Sequence, residues 1–142
     1  MRHRSSLFPI LIAIFSIALF SFVGNVNASP GGANTDKILN AIHQVESGGA
    51  TANVPNGDNG KAIGPFQIHK AYWMDAGIPG QYTDCHDYAY SKRVVLAYMK
   101  RYCPEALASG DAETIARVHN GGPTGASRKT TLSYWAKVQK HL

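Results

Sequence analysis

The chain has 142 residues, 16% charged and 44% hydrophobic, with 14 Lys and Arg against 9 Asp and Glu for a net charge of +5. That length makes one domain and leaves no room for a second independent core, while the low charge and high apolar content exclude a disordered chain. No Gly-X-Y, heptad or longer repeat is visible, so collagen, coiled coil and solenoid are excluded.

Met1 to Ala28 reads as a secretory signal. Arg2, His3 and Arg4 form a basic start, Leu7 to Val23 runs without a charge, and Val26-Asn27-Ala28 puts small residues where a signal peptidase cuts. The competing reading is an uncleaved anchor, because the apolar run is nearly long enough to span a bilayer. Pro9 and the small-residue site favour cleavage after Ala28. The expected product is a domain of residues 29–142, secreted or periplasmic, with no stable membrane association. Cys85 and Cys103 are its two cysteines, and an oxidising compartment would let them pair. A disulfide between them is therefore expected, although a straight intervening helix opposes it unless residues 85–90 fold back along that helix. Two cysteines without close Cys-x-x-Cys or His-x-x-x-His spacing make weak metal ligands, so no metal and no cofactor are expected.

After a Ser/Pro/Gly/Asn leader, Asn34 or Thr35 is placed to cap a helix with apolar positions Ile38, Leu39, Ile42 and Val45, stopped by Gly48-Gly49. Gly49 to Gly64 has no helical period and reads as a loop or small irregular hairpin. His69 to Ala76 fits a short helix, and Gly77 to Asp84 is rich in turn residues. The next helix spans Ser91 to Tyr102, with Val94, Val95, Tyr98 and Tyr102 on one face. Asp111 caps a short helix through Ile115 and Val118 that ends at Gly121-Gly122-Pro123; Thr130 caps the last, with Leu132, Trp135 and Val138 inward. The fold class is thus α+β, mostly helical, with one irregular insert after the first helix.

Glu46 and Asp58 stand out among the few acids. At about 100° per residue, Glu46 falls between Ile42 and Leu39, inside the apolar arc of its helix. It also sits in the last turn, where the helix dipole disfavours an anion. Both effects favour the neutral acid, the form a proton donor must hold. The competing reading is a frayed helix end whose glutamate swings to water. Asp58 lies in Asn56-Gly57-Asp58-Asn59-Gly60, where backbone N–H groups can hold a carboxylate, though Asp before Asn-Gly is also ordinary turn chemistry. One carboxyl in an apolar wall and one in a polar loop is the pairing that glycoside hydrolysis needs.

Several segments then carry a resemblance. They are Val45-Glu46-Ser47-Gly48-Gly49, Gly64-Pro65-Phe66-Gln67-Ile68, Ala71-Tyr72-Trp73-Met74-Asp75-Ala76-Gly77, Ala97-Tyr98-Met99-Lys100-Arg101-Tyr102, Ala116-Arg117-Val118-His119-Asn120-Gly121-Gly122-Pro123 and Tyr134-Trp135-Ala136-Lys137-Val138. In this order, over about Ile38 to Gln139, the chain resembles the invertebrate-type lysozyme (destabilase) family. The resemblance implies a lysozyme-like fold and a bacteriolytic, antimicrobial glycosidase that cleaves the β-1,4 bond between N-acetylmuramic acid and N-acetylglucosamine in peptidoglycan. It implies Glu46 as proton donor and Asp58 as nucleophile or charge stabiliser. It further points to Gln67, His69, Tyr72, Trp73, Asp75, Tyr98, Tyr102, His119, Asn120, Gly122 and Pro123 as substrate contacts. From their spacing alone, one of Tyr72 and Trp73 is expected in the core, as are Tyr98 and Tyr102.

The sequence departs from that family in two respects. Animal members are rich in cysteine, whereas Val94 and Ala126 stand about where those members have it, which marks a low-cysteine, bacterial or otherwise divergent member. Some members also have an isopeptidase activity attributed to a loop serine and the motif histidine. Here His119 is present, but the loop reads Asn59-Gly60-Lys61-Ala62-Ile63 with no serine, which argues against that activity. Lys and Arg are scattered without aromatic interleaving, so nucleic acid is not expected as a partner; a basic monomer drawn to anionic cell walls is. Two other readings compete: a lytic transglycosylase working with Glu46 alone, and a non-catalytic wall-binding module.

Overall fold

The apolar period at Ile38, Leu39 and Ile42 does form a helix, α1, spanning Ala33–Ser47. The computed structural model describes residues 32–142, so the expected signal segment Met1–Ala28 lies outside the described residues. Gly48 ends α1 in the left-handed conformation, at φ 64°, and its N–H bonds back to the Gln44 carbonyl, the expected glycine stop. The start differs from expectation. Gly32 is the cap, while Thr35 is buried inside the helix and Asn34 donates from Nδ2 to the Gly110 carbonyl at 3.3 Å. Both candidate caps are thus engaged in tertiary contacts.

The irregular insert holds a short 3-10 turn, Asp58–Gly60, and a two-stranded antiparallel hairpin of β1, Ala62–Ile63, and β2, Ile68–His69. Ala62 pairs with His69 and Ile63 with Ile68. Gly57 bridges to Ala62, which ties the turn to the hairpin's edge. Gly64 turns the chain between the strands at φ 72°, and a Cβ there would lie 1.8 Å from the Cys85 carbonyl oxygen. Only glycine meets both demands. The hairpin leads directly into α2, Lys70–Ala76.

A 3-10 turn, Tyr82–His86, precedes α3, Tyr88–Tyr102. This helix starts earlier than the expected Ser91, because Asp87 caps it by accepting the Tyr90 N–H at 2.7 Å. A further helix, α4, Pro104–Ser109, was not expected; it is a single short segment begun by a proline, whose fixed φ suits a first helical position. Then follow α5, Ala112–Gly121, capped by Asp111 as expected, and α6, Leu132–Val138. Thr130 does not cap α6; Thr131 stands at that position, and its buried hydroxyl donates to the Gly125 carbonyl instead. Leu132, expected inward, is 46% exposed, and Tyr134 takes the inward place beside Val138.

One core joins these elements. Ile38, Leu39 and Ile42 from α1 meet Val94, Val95 and Met99 from α3, Ile115 and Val118 from α5, Phe66 and Ile68 from the hairpin, and Val138 from α6. Each such fully buried aliphatic side chain contributes about 2 kcal/mol of burial free energy. Helix α5 is central, packing on α1, α3, α4 and α6. The arrangement is mostly helical with a small β-region after the first helix, as expected from the sequence. Among the described residues, no helix is long and apolar enough to cross a membrane.

The expected disulfide is absent: Cys85 and Cys103 are both free and buried. Cys85 lies in the 3-10 turn before α3, and Cys103 directly follows that helix's last turn. The 15 residues of α3, at about 1.5 Å each, keep the thiols apart, and residues 85–90 enter α3 rather than folding back along it. The Cys103 thiol donates instead to the Met99 sulfur at 3.4 Å.

Candidate active site

The core brings the last turn of α1, the hairpin, α2 and the end of α5 around a cleft of about 330 Å³, lined by Glu46, Asp58, Ala62, Gln67, Ile68, His69, Tyr72, His119 and Asn120. Both candidate carboxylates are in it. Glu46 does not swing to water. Its side chain is 17% exposed and stands 3.4 Å, at Oε1, from His119 Nε2. The same Oε1 accepts the Tyr134 hydroxyl at 2.6 Å. Tyr134 is buried, and that burial, followed by the neighbouring Glu46 carboxylate, holds its phenol well above the ordinary tyrosine range. The phenol is therefore neutral and a donor across the working pH range.

His119 is in turn held by Tyr72, whose hydroxyl lies 3.2 Å from Nδ1. Tyr72 stacks flat on Tyr98, with centroids 3.6 Å apart and planes at 11°. Desolvation, then the nearby Tyr98, raises the Tyr72 phenol well above its usual value, so it too remains protonated.

Asp58 stands in the opposite setting. Its side chain is 53% exposed, and Oδ2 lies 3.6 Å from His69 Nε2. The backbone is left-handed at Asp58, φ 46°, and at Asn59, φ 53°, a conformation that costs non-glycine residues energy but that Asp and Asn tolerate best. Gln67, also left-handed at φ 47°, braces this loop. Its Nε2 donates to the Gly64 carbonyl at 2.9 Å and the Pro55 carbonyl at 3.2 Å, and its Oε1 sits 2.3 Å from where a Gly57 Cβ would be. The turn that carries Asp58 is thus fixed by a side chain from the second half of the hairpin.

Of the candidate contact residues, Gln67, His69, Tyr72, His119 and Asn120 line the cleft, and the other six lie outside that lining. Trp73 donates its indole N–H to the Tyr90 hydroxyl at 2.9 Å and packs by Tyr82. Tyr98 is buried under Tyr72, where desolvation pushes its phenol up to about 12. Tyr102 packs on Tyr98 and faces a separate depression with Glu105 and Asp111. The Asp75 carbonyl accepts from Arg101 Nη1 at 2.9 Å. Gly122 ends α5, and Pro123 is exposed beyond it. Sequence reasoning did not single out Tyr134, Ala62 or Ile68. The place of Tyr134 in the closing Tyr134-Trp135 segment was the available sign. Among the described residues, no three His, Cys, Asp or Glu side chains group as a metal site.

The comparisons with known proteins agree with this architecture. The Destabilase family model matches residues 35–141. The lysozyme of Meretrix lusoria is 37% identical over 112 residues, covering 78% of this chain and 92% of that protein. Lysozyme 1 of Crassostrea virginica is 40% identical over 110 residues, 76% of this chain but 60% of its own length, so the chain spans about three fifths of that relative. The crystal structure of Tapes japonica lysozyme superposes with a TM-score of 0.64 at 38% identity, covering 73% of this chain and 87% of that one. A similar match, TM-score 0.63 at 38% identity over the same shares, is to the complex of Aeromonas hydrophila PliI with Meretrix lusoria lysozyme. This chain belongs to the destabilase family, the family of the invertebrate-type lysozymes.

Proposed function

We propose that this lysozyme-family enzyme is exported and hydrolyses the β-1,4 bond between N-acetylmuramic acid and N-acetylglucosamine in peptidoglycan. Glu46 is the general acid and Asp58 the nucleophile or charge stabiliser. The observation that carries the reading is the placement of the two carboxylates on one cleft in opposite settings, Glu46 mostly buried and Asp58 open to water. Glu46 gives its proton to the glycosidic oxygen as the C1–O bond breaks. The sugar's developing positive charge faces Asp58, and water supplies the hydroxyl of the new reducing end while its proton restores Glu46. Gln67 positions Asp58, and His69, Asn120 and the exposed edge of Tyr72 are taken as sugar contacts. The reading takes the enzyme as a monomer, which the supply of every cleft-lining residue by one chain supports. Export rests on the basic, apolar and small-residue pattern of Met1 to Ala28.

Mass spectrometry of the products released from purified peptidoglycan tests this reading. A reducing sugar end is expected. A 1,6-anhydro end would make the protein a transglycosylase, and binding without any released fragment would make it a wall-binding module.

A further inference from the structure

Two side chains from different helices, α5 and α6, converge on the same oxygen of Glu46. The Tyr134 hydroxyl donates to Oε1 at 2.6 Å, and His119 Nε2 faces that same Oε1 at 3.4 Å. Among the described residues, no hydrogen bond reaches Oε2. Tyr134 comes from α6, 88 positions along the chain, and its hydroxyl makes this one hydrogen bond among the described residues. A buried phenol without it would lose its only partner.

The Tyr72 hydroxyl and His119 Nδ1 lie 3.2 Å apart, which holds the ring with Nε2 facing Glu46. Tyr134 donates from the other side. With the Tyr134 hydroxyl donating to Oε1 and His119 Nε2 beside it, Oε2 is the Glu46 oxygen left without a partner among the described residues.

We propose that Tyr134 is a positioning residue for the general acid: with His119, it occupies Oε1 of Glu46 and so leaves Oε2 as the oxygen that delivers the proton to the glycosidic bond. This rests on Glu46 being the acid. Tyr134 does not line the cleft. It selects the reacting oxygen, and it restrains a carboxyl at a helix end that would otherwise rotate. The titratable groups around Glu46 are His119 from α5, Tyr134 from α6 and Tyr72 from α2, with Asp58 and His69 elsewhere on the cleft wall.

The test measures kcat and KM on soluble peptidoglycan fragments across pH for Tyr134→Phe and for the protein carrying 3-fluorotyrosine at position 134. Loss of the donor in Tyr134→Phe is expected to lower kcat roughly tenfold, with KM nearly unchanged. The same loss disfavours the Glu46 carboxylate, so the protonated acid persists further and the alkaline limb of the kcat profile moves to higher pH. Fluorine makes the phenol a stronger donor without changing its shape, so that variant folds and its alkaline limb moves to lower pH. Opposite shifts support the proposal. An unmoved limb in the fluorotyrosine protein overturns it, whether or not Tyr134→Phe folds, because a packing role for the ring does not move the limb. Glu46→Gln, measured alongside, separates the two levels: near wild-type activity there removes Glu46 as the acid, whereas an inactive Glu46→Gln with unmoved Tyr134 profiles removes only the role of Tyr134.

Discussion

The two walls of the cleft present the same functional group by different physics. On the Glu46 wall the carboxyl is held by tertiary packing: a helix end closed by Gly48, a buried tyrosine from α6 and a histidine from α5. On the Asp58 wall it is held locally, by a left-handed turn, a short hairpin and the Gln67 brace. The first wall is rigid because core elements meet there. The second is a loop whose strained backbone persists only while the hairpin beneath it is in register. A mostly buried carboxyl and an exposed one thus come from separate structural sources and respond to separate perturbations.

The largest effect is expected at the first wall. Glu46→Gln keeps the shape and the Tyr134 contact but has no proton to give, so hydrolysis of peptidoglycan falls about a thousandfold or more, with an unchanged circular dichroism spectrum. A folded variant with substantial activity would break the comparison at its root. Asp58→Asn acts on the second wall. It removes the negative charge that faces the oxocarbenium-like transition state, and a loss of about a hundredfold follows. If Asp58→Asn kept full rate and released anhydro products, the open wall would have no part in the chemistry and the reaction would be that of a transglycosylase.

Gly64→Ala tests whether the second wall depends on its hairpin. The new Cβ would fall 1.8 Å from the Cys85 carbonyl at φ 72°, so the turn must move. A loss of about 3 kcal/mol in urea unfolding is expected, together with a fall in activity that exceeds what the fraction unfolded explains. Activity that tracks only the folded fraction would show that the Asp58 loop holds its shape without the turn.

Legibility in the sequence divided along the same line. The Glu46 helix, its glycine stop and the position of Glu46 on the apolar arc follow from local periodicity, because Ile38, Leu39 and Ile42 all serve one core. Helices α3 and α5 were legible for the same reason, with Asp111 the expected cap. What holds Glu46 in place was not legible: Tyr134 reaches it through a contact between residues 88 positions apart, and no local pattern encodes such a pairing. The caps failed similarly. Thr35 and Thr130 look like caps in isolation, but the core takes Thr35, and the buried Thr131 rather than Thr130 stands at the start of α6. Helix α4 was missed because six residues carry too little period to register. Asp58 was readable as a turn residue; its left-handed backbone and the Gln67 brace depend on how the hairpin closes. Trp73 and Tyr98 belong to segments that resemble the family's, yet Trp73 packs by Tyr82 and Tyr90 and Tyr98 beneath Tyr72 rather than lining the cleft.

The smallest expected effect concerns the thiols, which support the packed side of the molecule and take no part in the cleft. Burial pushes the Cys85 thiol up to about 12 and the Cys103 thiol up to about 11. Reactivity belongs to the thiolate, so both should resist alkylation in the folded protein at pH 8 and titrate as two free thiols only after denaturation without reductant. One or no free thiol would restore the disulfide and require α3 to sit differently. The sign of the linkage follows from the raised values. The unfolded chain releases these protons near its ordinary value of 9.0, while the folded chain still holds them. The stabilisation is therefore complete below about 9 and is lost as pH rises toward about 11 for Cys103 and about 12 for Cys85. Reductant should leave the melting temperature unchanged throughout. Cys103→Ala should cost only about 1 kcal/mol, for the lost contact with Met99, and should leave the chemistry at Glu46 as it was. If the chain is exported as proposed, the burial of both thiols and their separation along α3 account for their staying unpaired.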